Sequence, residues 1–305
     1  MDVKKLQTEI RKKLTEKKGI LLAHNYQLPE IHDVADLTGD SLELSIKAAS
    51  TEAEVIVFCG VRFMAETAAI VCPNKVVILP VLSAGCPMAD MITAEQLRAK
   101  KTELPGTPVV TYVNSTAEVK AESDICCTSA NAIQVVNSLV QADTVFMTPD
   151  KNLAKYTQRH SSKKILHWDG YCPIHNNLTA EEVIACKQKY PKAVFMAHPE
   201  CPPEVLELAD EIKSTSGMLA FARESDRTEF IVGTEQGLIY PMQRDNPGKK
   251  FYSPSEKLIC PDMKKTTLAV LLQALEEMTN IITVPEHIRV KALTAVKRML
   301  AIPKG

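Results

Sequence analysis

Three short apolar runs organise this chain, and each ends in a polar cluster: residues 20–25 (ILLAHN), 109–114 (VVTYVN) and 193–200 (AVFMAHPE). Runs of this length, rich in branched residues and bounded by polar turns, predict strands buried on both faces of a parallel sheet. After each run come a polar stretch, an aspartate and then a hydroxyl residue. His24 to Ser41, Tyr112 to Ser129 and His198 to Thr215 are all 17 positions apart, and Asp36, Asp124 and Asp210 each lie five positions before the hydroxyl. A single such spacing would mean little. Three in register mean internal duplication.

The register continues downstream. Helical segments follow the hydroxyls, for example over 42–49 and 132–139, and a second set of strands is expected at 55–59, 144–147 and 229–232. A lysine then introduces another apolar stretch, at Lys75, Lys163-Lys164 and Lys249-Lys250, and each stretch leads to a Cys-Pro pair at Cys86, Cys172 and Cys260. Those cysteines are 86 and 88 residues apart. Thr93 and Thr179 are placed to cap the helices that open the next units. The repeat divides the chain into units 1–88, 89–174 and 175–305, with two extra helices near 263–278 and 285–300 closing the last.

Strands alternating with helices predict an α/β protein: three homologous αβα units with parallel sheets in a pseudo-threefold arrangement around a centre. Ligands of such sheets gather at the carboxyl ends of the strands. The polar clusters carrying His24, Tyr26, Tyr112, Asn114, His198 and Glu200 fall there. Ser41, Ser129 and Thr215 fall where the next helix begins, where free backbone N–H groups favour anions. The spacing alone therefore predicts a central site for an anionic small molecule.

Composition narrows the classes. The 305 residues are 45% hydrophobic and 24% charged, with a formal charge of −1 and no basic face of the kind nucleic acid requires. The paired lysines Lys163-Lys164 and Lys264-Lys265 are expected to be solvated surface. No run approaches the roughly 20 apolar residues of a membrane span, and residues 1–18 are charged and amphipathic without a signal-peptide core. The expectation is a cytoplasmic protein that binds no membrane, in a compartment where its nine cysteines stay reduced.

Cys86, Cys172 and Cys260 stand apart because they share one repeat position and each precedes a proline, which fixes the chain direction and removes a competing N–H. Cys72-Pro73 and Cys201-Pro202 share the dipeptide but not the register; with Cys59, Cys126, Cys127 and Cys186 they are assigned to packing. Three thiolates are too few for a closed structural zinc site. They suit a cubane iron–sulfur cluster with one iron free of protein ligands, able to act as a Lewis acid.

Along essentially its whole length the sequence resembles the quinolinate synthase family, through AHNYQLPEIHDVAD, GDSLELS, GVRFMAE, GCPMAD, TYVNSTAEVKA, CTSANA, GYCPIH, AHPECP, STSGM and ICPDMKKTTL in this order. The resemblance implies three αβα units around a [4Fe-4S] cluster held by Cys86, Cys172 and Cys260. It implies a condensation of iminoaspartate with dihydroxyacetone phosphate that yields quinolinate, a precursor of NAD, with functional coupling to the enzyme that makes iminoaspartate. It places His24, Ser41, Tyr112, Asn114, Ser129, His198, Glu200 and Thr215 on substrate-contacting positions, and Tyr26 and His175 on further active-site positions. STSGM at 214–218 is shifted from the family pattern, leaving Ser214 and Ser216 open to share the role of Thr215. A regulatory C-x-x-C-x-x-C stretch found in some members is absent, so no disulfide switch is expected.

Dehydration and enamine chemistry need proton shuttles beside a polarised oxygen. Glu200 and Tyr26 are assigned to general acid and base, and His24, His175 and His198 to anion binding or proton movement. His32, His160, His167 and His287 are assigned structural roles, and Trp168 to packing. Two alternatives stay open: another iron–sulfur hydratase or lyase, and a non-catalytic small-anion-binding protein.

Overall fold

The computed structural model describes residues 2–303; Met1 and the last two positions of the third unit lie outside it. Twelve strands form three parallel four-stranded sheets. The first contains β1 (Gly19–His24), β2 (Leu37–Gly39), β3 (Val55–Cys59) and β4 (Val76–Ile78). The second contains β5 (Val109–Tyr112), β6 (Ile125–Cys127), β7 (Thr144–Thr148) and β8 (Lys164–His167). The third contains β9 (Val194–Ala197), β10 (Glu211–Ile212), β11 (Glu229–Gly233) and β12 (Lys250–Tyr252). Every sheet has the same order, with the unit's second strand at one edge, then its first, third and fourth: β2-β1-β3-β4, β6-β5-β7-β8 and β10-β9-β11-β12. The threefold α/β architecture expected from the spacing is present.

The first strand of each unit stops at or just before the polar cluster, so Asn25, Asn114 and Glu200 sit beyond the ladder. The edge strands β2, β6 and β10 leave no signature in the sequence, because two or three residues carry no readable period. The repeated aspartates explain how they dock. Asp36 Oδ2 accepts from Leu21 N at 2.8 Å, Asp124 Oδ2 from Val109 N at 2.7 Å and Asp210 Oδ2 from Phe195 N at 2.8 Å. In return the Leu21, Val109 and Phe195 carbonyls accept from the three aspartate N–H groups.

The repeated lysines also have a structural task. Lys75 Nζ donates to the Thr51 carbonyl at 2.6 Å, Lys163 Nζ to that of Leu139 at 2.8 Å and Lys249 Nζ to that of Ser225 at 2.5 Å. Each acceptor is the C-cap of the preceding helix, Ser41–Ser50, Ala132–Ser138 or Thr215–Glu224. A cation there satisfies orphan carbonyls and opposes the negative end of the helix dipole. Lys163 is thus not the solvated surface group expected from the sequence. Thr93 and Thr179 cap the helices Ala94–Glu103 and Ala180–Lys189, each in a reciprocal capping box.

The two helices that follow the third unit pack elsewhere. Leu268, Leu271 and Leu275 meet Leu6, Ile10 and Leu14 of the helix Val3–Glu16 over the outer face of the first sheet. On the helix Glu286–Leu300, Ala292, Ala295, Val296 and Met299 enter the largest core, and Arg298 Nη1 donates to the Asp124 carbonyl of the second unit at 2.7 Å. No described helix is long and apolar enough to cross a membrane.

Candidate active site

The carboxyl ends of the three sheets enclose a cavity of about 200 Å³. His24 ends β1, Tyr112 ends β5 and His198 follows β9, and all three are buried. Tyr26, Asn114 and Glu200, each two positions further on, line the cavity beside them. Ser41, Ser129, Thr215, His175, Cys86, Cys172 and Cys260 complete the set, so every site residue expected from the sequence faces this one space.

The hydroxyls differ in their settings. Ser41 and Thr215 are the first residues of the helices Ser41–Ser50 and Thr215–Glu224, whose N-caps are Asp40 and Ser214. Ser129 stands three residues ahead of Ala132–Ser138, in a turn where Thr128 Oγ1 accepts from Ala130 N at 3.2 Å. Ser214 spends its oxygen on Gly217 N at 3.3 Å, and Ser216 donates to Glu43. Of Ser214, Thr215 and Ser216, Thr215 alone lines the cavity, and its Oγ1 accepts from Asn25 Nδ2 at 2.9 Å.

A buried network runs across the floor. The Tyr112 hydroxyl donates to Glu200 Oε1 at 2.5 Å, and Glu200 Oε2 lies 2.8 Å from His175 Nδ1. His198 stacks on His175 with ring centroids 4.6 Å apart. Burial pushes the Glu200 carboxyl up, but the two imidazoles and the hydrogen bonds from His175 and Tyr112 outweigh it and hold the group below the usual carboxylate range. Burial drives His24 and His198 down to about 3, so both are neutral near pH 7. Burial, reinforced by the Glu200 charge, pushes the Tyr26 and Tyr112 phenols well above their ordinary values.

The three cysteine turns repeat one construction. Arg62 N donates to the Ala84 carbonyl, Lys151 N to Gly170 and Gln236 N to Leu258, each at 2.8 Å and each two residues before the cysteine. Backbone N–H groups of Ala89, His175 and Met263, three residues beyond each cysteine, act on the sulfurs and favour the thiolate, against a burial that raises all three thiols. Two buried carboxylates invisible to the sequence reading hold the turns: Asp150 Oδ2 accepts from Cys172 N at 3.0 Å and Glu235 Oε1 from Cys260 N at 3.1 Å. The first unit has Val61 at that position. It lines the cavity with Phe63 and Met64 as an apolar wall. The cysteine turn of that unit is tied to the third instead, through Gly85 N to Asp262 Oδ1 at 3.2 Å and Lys265 Nζ to the Ser83 carbonyl at 2.6 Å.

Lys264 corrects the expectation of a solvated pair: its Nζ lies 2.9 Å from Glu235 Oε1 and also donates to the Tyr26 carbonyl. Cys72 and Cys201 are buried away from the cavity, bonded to the Ala48 and Gly233 carbonyls. His32, His160 and His167 bond backbone carbonyls, and Trp168 packs with Nε1 on the Met91 carbonyl at 2.8 Å.

The donors fit a metal centre. Among the described residues, Cys172, His175 and Glu200 form the one group whose ligand atoms all lie within 4.8 Å of one another. The three cysteine sulfurs are not such a group. A single tetrahedral ion needs its thiolates closer than that, whereas a polynuclear cluster between three turns does not.

The model of the family described as quinolinate synthetase A protein matches residues 8–301. Proteins named quinolinate synthase are similar along almost their entire length. One from Geotalea uraniireducens is 53% identical over 296 residues, 97% of each chain. One from Dehalococcoides mccartyi strain CBDB1 is 56% identical over 94% of this chain and 95% of its own. One from Desulforudis audaxviator is 51% identical over 99% of this chain and 100% of its own.

Proposed function

The chain belongs to the quinolinate synthetase A family and acts as a quinolinate synthase in NAD biosynthesis, and we propose that it does so by condensing iminoaspartate with dihydroxyacetone phosphate on a [4Fe-4S] cluster held by Cys86, Cys172 and Cys260. The overall change releases one phosphate and two waters, which balances the two substrates against quinolinate. The division into units at residues 88 and 174, and coupling to the enzyme that makes iminoaspartate, belong to the same proposal.

The observation that carries it is the convergence of all thirteen expected residues on one cavity. When bound, the cluster would supply a Lewis-acidic iron without a protein thiolate. The rest falls to side chains and backbone. Ser41, Ser129 and Thr215, with neutral His24 and His198, hydrogen-bond the carboxylates and phosphate without adding counter-charge; the helix starts at Ser41 and Thr215 favour anions further. Asn114 offers its amide beside Tyr112. Glu200, ionised and buried, takes protons from substrate carbon or nitrogen as general base. Tyr26, which keeps its proton, delivers one to a departing oxygen, and His175 orients both. Val61, Phe63 and Met64 supply an apolar part of the cavity lining that excludes water.

Anaerobic purification followed by iron and sulfide analysis, and product identification with the two substrates, tests this directly. Quinolinate formation by a protein carrying about four irons is expected. A loaded protein that acts only on another carboxylic acid would favour a different hydratase or lyase. A colourless protein without iron would favour an anion-binding role.

A further inference from the structure

Glu200 accepts from the Tyr112 hydroxyl at 2.5 Å and lies 2.8 Å from His175 Nδ1, which also stands 3.2 Å from Cys172 Sγ. On the other edge of the ring, Nε2 lies 2.8 Å from Thr234 Oγ1 and 3.4 Å from the Tyr26 hydroxyl. Thr234 Oγ1 in turn lies 2.5 Å from the Tyr26 hydroxyl. Tyr26, Thr234, His175 and Glu200 therefore form one buried hydrogen-bonded chain in which Thr234 bridges the phenol and the imidazole.

Thr234 is fully buried and does not line the cavity, so it touches no ligand there. It follows Gly233, the last residue of β11, so the sheet fixes its backbone. Its counterparts after β3 and β7 are Gly60 and Pro149, neither of which has a hydroxyl. The threefold repeat therefore gives no hint of it.

We propose that Thr234 is a positioning residue that orients the Tyr26 phenol and the His175 ring for the condensation. Its oxygen fixes where the Tyr26 hydroxyl stands at the cavity wall and holds the Nε2 edge of the His175 ring, whose Nδ1 edge meets Glu200 and Cys172. The proposal rests on the roles given above to Tyr26 and His175.

The test compares the loaded parent enzyme with Thr234→Val, which exchanges the hydroxyl for a methyl of similar size, and with Thr234→Ser, which restores the hydroxyl. In the valine variant kcat should fall by roughly 10- to 100-fold, with KM for both substrates within about threefold of the parent and iron content and melting temperature unchanged. The serine variant should return kcat to within about threefold of the parent. Ultraviolet resonance Raman spectra of the loaded proteins, with the Tyr26→Phe spectrum subtracted, provide a readout that needs no turnover. The Tyr26 hydrogen-bonding band should move in the valine variant and return in the serine variant. If valine crowds the site and the chain does not fold, Thr234→Ala carries the same expectations. A valine variant with kcat within twofold of the parent, a serine variant as slow as valine, or an unmoved Tyr26 band would each overturn the proposal. An inactive parent would overturn the assigned reaction instead, and the Raman comparison would still decide the role of Thr234.

Discussion

Glu200 Oε2 lies 2.8 Å from His175 Nδ1, while Oε1 takes the Tyr112 hydroxyl at 2.5 Å, so a single buried carboxylate anchors one side chain from each of the second sheet and the Cys172 turn. Glu200→Gln keeps the volume but replaces one of two acceptor oxygens with a donor and removes the titratable group. Turnover is expected to fall by about 10²–10⁴ with iron content intact. Tyr26→Phe, which removes only a hydroxyl, should lose activity on the same scale. Steady-state rates normalised to iron would check both, and near-normal turnover in either variant would remove that residue from proton transfer.

Serine in place of Cys86, Cys172 or Cys260, one at a time, is expected to abolish iron retention. Cys72→Ser and Cys201→Ser should leave it near that of the parent, because those thiols bond backbone carbonyls away from the cavity. Iron per chain after anaerobic purification separates the two groups. If Cys201→Ser loses the metal while Cys260→Ser keeps it, the repeat register is not what selects the ligands.

The buried carboxylate of Glu235 serves the Cys260 amide, Gly237 N and Lys264 together. Glu235→Gln offers one acceptor where two oxygens now work. The Cys260 turn should loosen, and bleaching of the cluster in air should speed up several-fold although every thiolate remains. Lys264→Met leaves Glu235 buried without its cation and should cost about 1–3 kcal/mol, less than for a fully enclosed pair because Lys264 is partly exposed. Bleaching kinetics and urea unfolding measure these two effects separately.

His24 and His198 are held at about 3 by burial, far below the value near 6.5 of an exposed imidazole. Between those limits the unfolded chain binds protons that the folded chain refuses, so stability rises with pH. The contribution is complete above about pH 6.5 and is lost progressively as pH falls toward 3. Two such groups give a slope of up to about 2.7 kcal/mol per pH unit inside that window. His198→Gln should remove about half of it. Urea unfolding at pH 5 and pH 7 would show this, and an unchanged slope would mean that His198 is not buried neutral.

Much of this molecule was legible in the residues. Asp36, Asp124 and Asp210 recur because each pins an edge strand to its neighbour, and Lys75, Lys163 and Lys249 recur because each caps a helix. Both devices join segments a fixed distance apart within one unit, so they leave a periodic trace. Their purposes were not legible: Lys164 and Lys265 are exposed as expected, but Lys163 and Lys264 turn to carbonyl acceptors that charge alone does not reveal. Ser214, Thr215 and Ser216 looked interchangeable; the helix start separates them, giving the cap to Ser214, the cavity to Thr215 and Glu43 to Ser216.

By itself the sequence determined the three units, the parallel strands, the polar residues at the strand ends and the shared position of the three cysteines, because all of these follow from local periodicity and repetition. Only the tertiary structure decided which groups meet across units. Tyr26 finds Thr234 over 208 positions, Lys264 reaches the Tyr26 carbonyl over 238, and Lys265 reaches the Ser83 carbonyl over 182. The last helices return to the first two units rather than covering their own. Such pairings depend on how rigid sheets pack about a common centre, and the chain order of residues that meet there carries no period to read.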